Sequence, residues 1–198
     1  MSSMKFVQAH RVLNVLPPDA DRFGADGVTF GSSGPRGAVG GASPVTGIVD
    51  VRNYRHVTFL VVYGATSAAD HTITLEGCDA LYSPTIHTEL AFEYHPAGDT
   101  VTGGLQAVER LGTRATATTS GILTITGDSN RIIPIEVDVA EAEAAYIKTN
   151  PTGTLAGLRL RVTETTDDPT DGCVLAILSE PRFMADGDDM PQGLANAT

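Results

Sequence analysis

Tryptophan is missing from this chain, and aromatic residues make up only 6% of it. A platform that stacks sugars or bases therefore has few rings to draw on. Lysine is nearly missing as well, with Lys5 and Lys148 its only representatives, and arginine supplies the rest of the basic charge. The formal net charge is −11. Such a surface repels phosphate backbones and anionic headgroups, so neither nucleic acid nor a membrane is an expected partner. No apolar run approaches the ~18–20 residues of a membrane span. The first ten residues lack the apolar core of a signal peptide, so a cytoplasm is the expected site of synthesis.

Metal and redox motifs are also lacking. Cys78 and Cys173 are far apart and outside any C-x-x-C spacing. Both sit at the edges of strand-like runs and are expected to pack as small apolar residues. Whether they pair stays open. His10, His56, His71, His87 and His95 form no H-x-H, H-x-x-x-H or H-E-x-x-H pattern, so no local metal site is expected. No Ser/His/Asp or Cys/His arrangement has local support. Glu76, Glu89 and Glu93 are the carboxylates from which a glycosidase pair would be assembled, but the thin aromatic supply argues against one. The loop Asp167–Asp171 concentrates carboxylates that a calcium ion would accept, without EF-hand spacing; a solvated turn is the simpler reading. The expected catalytic, cofactor and metal residues are therefore none, and no enzyme is expected.

Glycine and proline are plentiful, at 21 and 11 residues. Many fall in residues 19–47, a lead too poor in apolar area to fold alone. Two readings compete for it: a floppy arm, or an extended arm that orders against a neighbouring subunit. Val7, Val12, Leu13, Val15 and Leu16 offer a short strand or an irregular contact before it, ended by Pro17-Pro18.

The most apolar run follows, from Asp50 to Gly64. As a strand it places Val57, Phe59, Val61 and Tyr63 on one face and His56, Thr58, Leu60 and Val62 on the other. Thr72–Glu76 alternates strictly, and the two runs read as an antiparallel hairpin, with His56 and His71 across from each other. Glu89–Tyr94 alternates as one strand. Ile122–Ile125 is short. Arg131–Val137 carries Pro134, which predicts an edge strand or a bulge. Asp138 and Glu141 have capping-box spacing ahead of an alanine-rich helix of one or two turns. Leu158–Thr163 alternates with Arg159 and Arg161 outward. Cys173–Leu178 is apolar on both faces, like the Asp50–Gly64 run, and both are expected to be central strands.

Seven to nine short strands and almost no helix predict an all-β antiparallel β-sandwich or jelly-roll-like barrel. The expected organisation is an N-terminal arm at 1–47, a sandwich domain at 48–183, and an acidic tail at 184–198.

The run Asn53-Tyr54-Arg55-His56-Val57-Thr58-Phe59 resembles the entry strand of small β-rich structural proteins encoded among the head and tail genes of tailed bacteriophages. The small-residue turn and Thr-x-Thr-Leu strand at Ala65–Leu75 are similar too. So are the strand ending at Ile135–Asp138 and the closing Ala-Ile-Leu-Ser-Glu-Pro-Arg-Phe at 176–183. The resemblance covers residues 48–183. It implies a virion component without catalysis: a decoration or cement protein of the capsid shell, or a head–tail, neck or tail protein. It implies homo-oligomers, and contacts with the major capsid protein or neighbouring virion proteins. The 19–47 arm lies outside the resemblance but suits such contacts, because an extended arm can add a strand to a neighbour's open sheet edge. A carbohydrate-binding β-sandwich module is the alternative from another class, and it requires a tyrosine-lined groove.

Overall fold

The computed structural model describes residues 10–23, 46–63, 71–96, 112–124, 132–164 and 170–181. Eleven strands and one helix occur among them. In chain order they are β1 (His10–Phe23), β2 (Val49–Asp50), β3 (Tyr54–Tyr63), β4 (His71–Cys78), β5 (His87–Leu90), β6 (Phe92–Tyr94), β7 (Ala115–Ala117), β8 (Ile122–Thr124), β9 (Ile132–Asp138), α1 (Val139–Thr149), β10 (Gly157–Glu164) and β11 (Thr170–Pro181). One sheet has six strands, ordered β1-β11-β3-β9-β6-β7. The other has five, ordered β2-β10-β4-β5, with β8 against the first half of β4. Every pairing is antiparallel. The architecture is an antiparallel β-sandwich with one helix.

Alternation builds the core. Val57, Phe59 and Val61 of β3 are fully buried between the sheets, beside Val174, Ala176 and Leu178 of β11. Ile73 and Leu75 of β4 and Leu158, Leu160 and Val162 of β10 meet them from the other sheet. Each large side chain so buried contributes about 1.5–3 kcal/mol before entropy. β3 and β11 are neighbours in the interior of the six-stranded sheet, as their apolar character on both faces requires.

Pairing is where expectation and structure part. β3 and β4 form no hairpin: β3 lies between β11 and β9, while β4 lies in the other sheet beside β10. Alternation says which face is buried, not which strand lies alongside. Glu89–Tyr94 divides at Ala91 into β5 and β6, which belong to different sheets. Leu90 and Phe92 both remain buried, so the period of two survives the crossing.

Pro134 does not mark an edge, because β9 lies between β3 and β6. Its carbonyl accepts from His95 N at 3.0 Å, just beyond the end of β6. The N and C=O of one strand residue point to the same side. The missing donor therefore faces a place where the neighbouring strand has stopped, and no ladder bond to β3 is lost.

Pro17-Pro18 does not end the first strand either. β1 continues to Phe23 as the outermost strand, with register shifts after Asn14, Leu16 and Asp19. Irregular edges tolerate proline because one side of the strand needs no donors. Leu13 and Val15 of β1 are core residues, so the sandwich reaches back to His10 rather than starting at residue 48. Gly47 N donates to Val15 O at 3.0 Å, and Thr46 N donates to Leu160 O at 2.9 Å. The lead is thus tied to the domain on both sides; residues 24–45, the loop residues Asp167 and Asp168, and the tail 184–198 lie outside the described residues.

The helix is longer than its alanines suggested. α1 has 11 residues and includes Tyr146, Ile147 and Lys148. Asp138 caps it, its Oδ1 accepting from Ala140 N at 2.8 Å and Glu141 N at 3.0 Å. Val139, Ala142 and Tyr146 form its buried stripe. Tyr146 is fully buried and supplies the contact that extends the helix. α1 touches strands of both sheets and carries the chain from one to the other, closing one end of the sandwich. Gly77 makes room for it: a Cβ there would lie 2.9 Å from Leu155 and 3.0 Å from the Tyr146 ring. Among the described residues no helix is long and apolar enough to cross a membrane.

Candidate functional site: the outer faces of the two sheets

The outward side chains of the six-stranded sheet are unusually apolar. Leu60 of β3 lies between Leu175 of β11 and Pro134 of β9. One rung along, Val62 lies between Cys173 and Ile132. Ile177 sits between Thr58 and Val12 of β1. Val12 is 50% exposed and Ile132 38%, and the others except Pro134 are half-buried. Directly opposed residues of an antiparallel pair share a face, so these side chains form one apolar patch across four strands. A solvated sheet face is normally polar. Contiguous exposed apolar patches recur at the contact surfaces of proteins in general.

Polar residues border it at the β6–β7 side. Glu93 and Glu136 are directly opposed on β6 and β9, a like-charge pair that would repel. Arg114 pairs with Glu93 and reaches within 4.0 Å of Glu136. His95 adds a contact 3.9 Å from Glu136 and meets Gly112 O through Nδ1 at 3.1 Å. The segment before β7 is stapled to the sheet in this way.

The outer face of the five-stranded sheet is charged, and Arg159 and Arg161 were expected to reach water from it. Arg159 is instead buried, and so is Glu76. Arg159 Nε donates to Glu76 Oε2 at 2.6 Å. Arg161 Nε lies 2.6 Å from Glu76 Oε1, at an angle that makes no hydrogen bond. Register explains the grouping: Arg159 opposes Glu76 and Arg161 opposes Thr74 on the same face. Ile48 and Leu81 cover one end of this face, as shown by a Cβ at Gly157, which would sit 2.5 Å from Ile48 and 3.0 Å from Leu81. The turn before β8 covers the other end, where Gly121 packs on Ile73 O and Thr74 Cγ2. A Glu and two Arg at alternate positions were visible in the sequence. The loops that roof them were not.

Two further acidic locks shape the ends. Asp50 accepts from Arg52 N at 3.1 Å, Arg52 Nε at 2.9 Å and Arg52 Nη2 at 2.6 Å, which fixes the turn into β3. The hydrogen bond to Asp50, then its charge, hold the Arg52 guanidinium above its usual range. Asp79 accepts from Thr85 N at 3.1 Å and pairs with Thr85 Oγ1 at 2.7 Å, closing the loop that presents Tyr82 and Ile86 to solvent.

The remaining candidates do not converge. His56 pairs in register with Ser179 and Asp138, and His71 with Glu164 and Thr124, on different sheets. Glu76 and Glu89 are directly opposed on β4 and β5, but Glu93 is in the other sheet. Tyr54 and Tyr146 are core residues and Tyr82 is exposed at a loop, so these three rings line no common groove. Cys78 and Cys173 are both free thiols, on different sheets. Burial pushes the Cys78 thiol up to about 12, with Arg159 working the other way, which suits a packed rather than a reactive cysteine. Among the described residues no group of His, Cys, Asp and Glu is arranged to hold a metal ion.

No protein-family model, no curated protein and no solved structure matches this chain.

Proposed function

We propose that this chain is a non-enzymatic structural component of a phage particle, made in the host bacterial cytoplasm, that decorates or cements the capsid shell. It acts through contacts between its own copies and with the major capsid protein or neighbouring virion proteins. The observation that carries the reading is the apolar outer face of the six-stranded sheet around Leu60, Leu175 and Val62. A rigid sandwich with such a face is built to be covered by protein. The resemblance of residues 48–183 to phage head and tail proteins supports virion proteins as that partner. A head–tail, neck or tail position is the variant of the same reading.

Mass spectrometry of purified particles is the test. The protein is expected among the virion proteins, and particles without it overturn the reading. Copy number then separates the variants: a number matching the shell lattice means decoration, whereas one matching a single ring means neck or tail.

A further inference from the structure

We propose that Arg159, Arg161 and Thr74 form a binding site for an oxyanion on the outer face of the five-stranded sheet. It rests on different residues from the virion reading and stands apart from it. Three ionised groups meet here, and their charges do not cancel. Glu76 is the one carboxylate in ion-pair contact with Arg159 and Arg161 among the described residues, so one positive charge is left over. The Arg159 side chain is 8% exposed and that of Glu76 1%. Arg161 is 32% exposed, so the surplus charge lies at the mouth of an otherwise enclosed cluster, where a counter-ion from solvent can join it.

The geometry leaves room for that partner. Arg159 uses Nε on one oxygen of Glu76, and Arg161 places Nε against the other. One carboxylate thus anchors two guanidinium groups side by side, and each retains further donors in its planar fork. Arg161 Nε is buried without a hydrogen bond, although its side chain is 32% exposed. The opening to solvent therefore lies at the rest of that side chain. Thr74, directly opposite Arg161, has a buried Oγ1 with no hydrogen-bond partner. A hydroxyl across from Arg161, with the Arg159 fork one rung along on the same face, completes a donor set for a carboxylate or a phosphate. Glu89, opposite Glu76 on β5, is exposed and makes no ion pair with either arginine among the described residues. The ligand is an oxyanion, from a free phosphate or from an acidic side chain of a partner.

Thermal unfolding of the full chain tests the site, with inorganic phosphate or glutarate titrated against chloride at matched ionic strength. The wild-type midpoint is expected to rise saturably with one or both anions. A rise with phosphate alone identifies free phosphate, and a rise with glutarate alone identifies a carboxylate. Phosphate also stabilises proteins generally by exclusion, without saturation. Arg161→Gln keeps the Arg159–Glu76 bond and is expected to retain only that non-saturating rise. Thr74→Val leaves every charge in place and is expected to raise the half-saturating anion concentration several-fold. Equal responses in wild type and both variants, or no saturable rise in wild type, overturn the site.

Discussion

Glu76 concentrates the energetics at the scale of single residues. It is fully enclosed and faces two arginines, so neutralising it strands the buried Arg159 charge and takes the carboxylate partner from the more exposed Arg161. Breaking a buried ion pair by removing one partner costs about 3–5 kcal/mol. Glu76→Gln is therefore expected to lower the urea midpoint by that equivalent with the slope unchanged, because the exposed area on unfolding stays the same. Cys78 provides the pH signature. Burial pushes its thiol from an ordinary value of 9.0 up to about 12 in the folded chain. Between those values the unfolded chain has released a proton that the native chain keeps, so stability falls as pH rises through this window. Below the lower value the group contributes nothing. Burial raises Tyr54, against Arg11, and Tyr146 in the same direction, which extends the fall. Denaturant unfolding from pH 8 upward checks this, and Cys78→Ala is expected to make the decline shallower.

At the scale of elements, caps and close approaches decide more than propensity. The alanines after Asp138 favour a helix, but its third turn exists because Tyr146 finds a slot over Gly77 between Leu90 and Leu155. Asp138→Ala removes the acceptor of two helix-end N–H groups and is expected to cost about 1 kcal/mol. Gly77→Ala forces a methyl into that slot and is expected to cost about 1–3 kcal/mol, with Tyr146 displaced. Chemical denaturation measures both, and the tyrosine near-ultraviolet circular dichroism should change for Gly77→Ala but not for Asp138→Ala. Strand positions and inward faces were legible because a period of two is local. The single run Glu89–Tyr94 reads as one strand in sequence because Leu90 and Phe92 stay on the buried phase; only the gap between two sheets turns it into two.

The whole molecule depends on a first strand whose length and place in the sandwich the sequence did not reveal. Leu13 and Val15 belong to the core, and Gly47 bonds back to Val15, so the N-terminal segment closes the open side of the sandwich. Deleting residues 1–23 is expected to destabilise the fold rather than release a free domain, read as a lower thermal midpoint and faster proteolysis. If the truncated chain melts like the full one, β1 is dispensable. Assembly should depend on the other face. Leu175→Lys places a charge in the middle of the apolar patch, where half-exposure lets the monomer fold. It is expected to leave the thermal midpoint within about 1 kcal/mol equivalent of wild type while abolishing incorporation into particles; normal incorporation would remove the patch from the contact surface.

The sequence by itself determined the class of fold: alternating runs such as Leu158–Thr163, turn clusters between them and the cap at Asp138 are local signals with local physical causes. In the cleanly alternating runs Thr72–Glu76 and Leu158–Thr163 it also determined which residues face inward. Tertiary structure alone decided partners and cover. β3 joins β11 and β9 because three strands with apolar inner faces share one core, a relation between segments more than a hundred residues apart for β3 and β11. Glu76, Arg159 and Arg161 carry the same charges in either view. Whether those charges are solvated ends of a strand or an enclosed cluster depends on what packs around them, with Ile48 and Leu81 at the Gly157 end of the face and the Gly121 turn at the Thr74 end. Burial is a property of what comes back to cover a residue, and no local pattern records it.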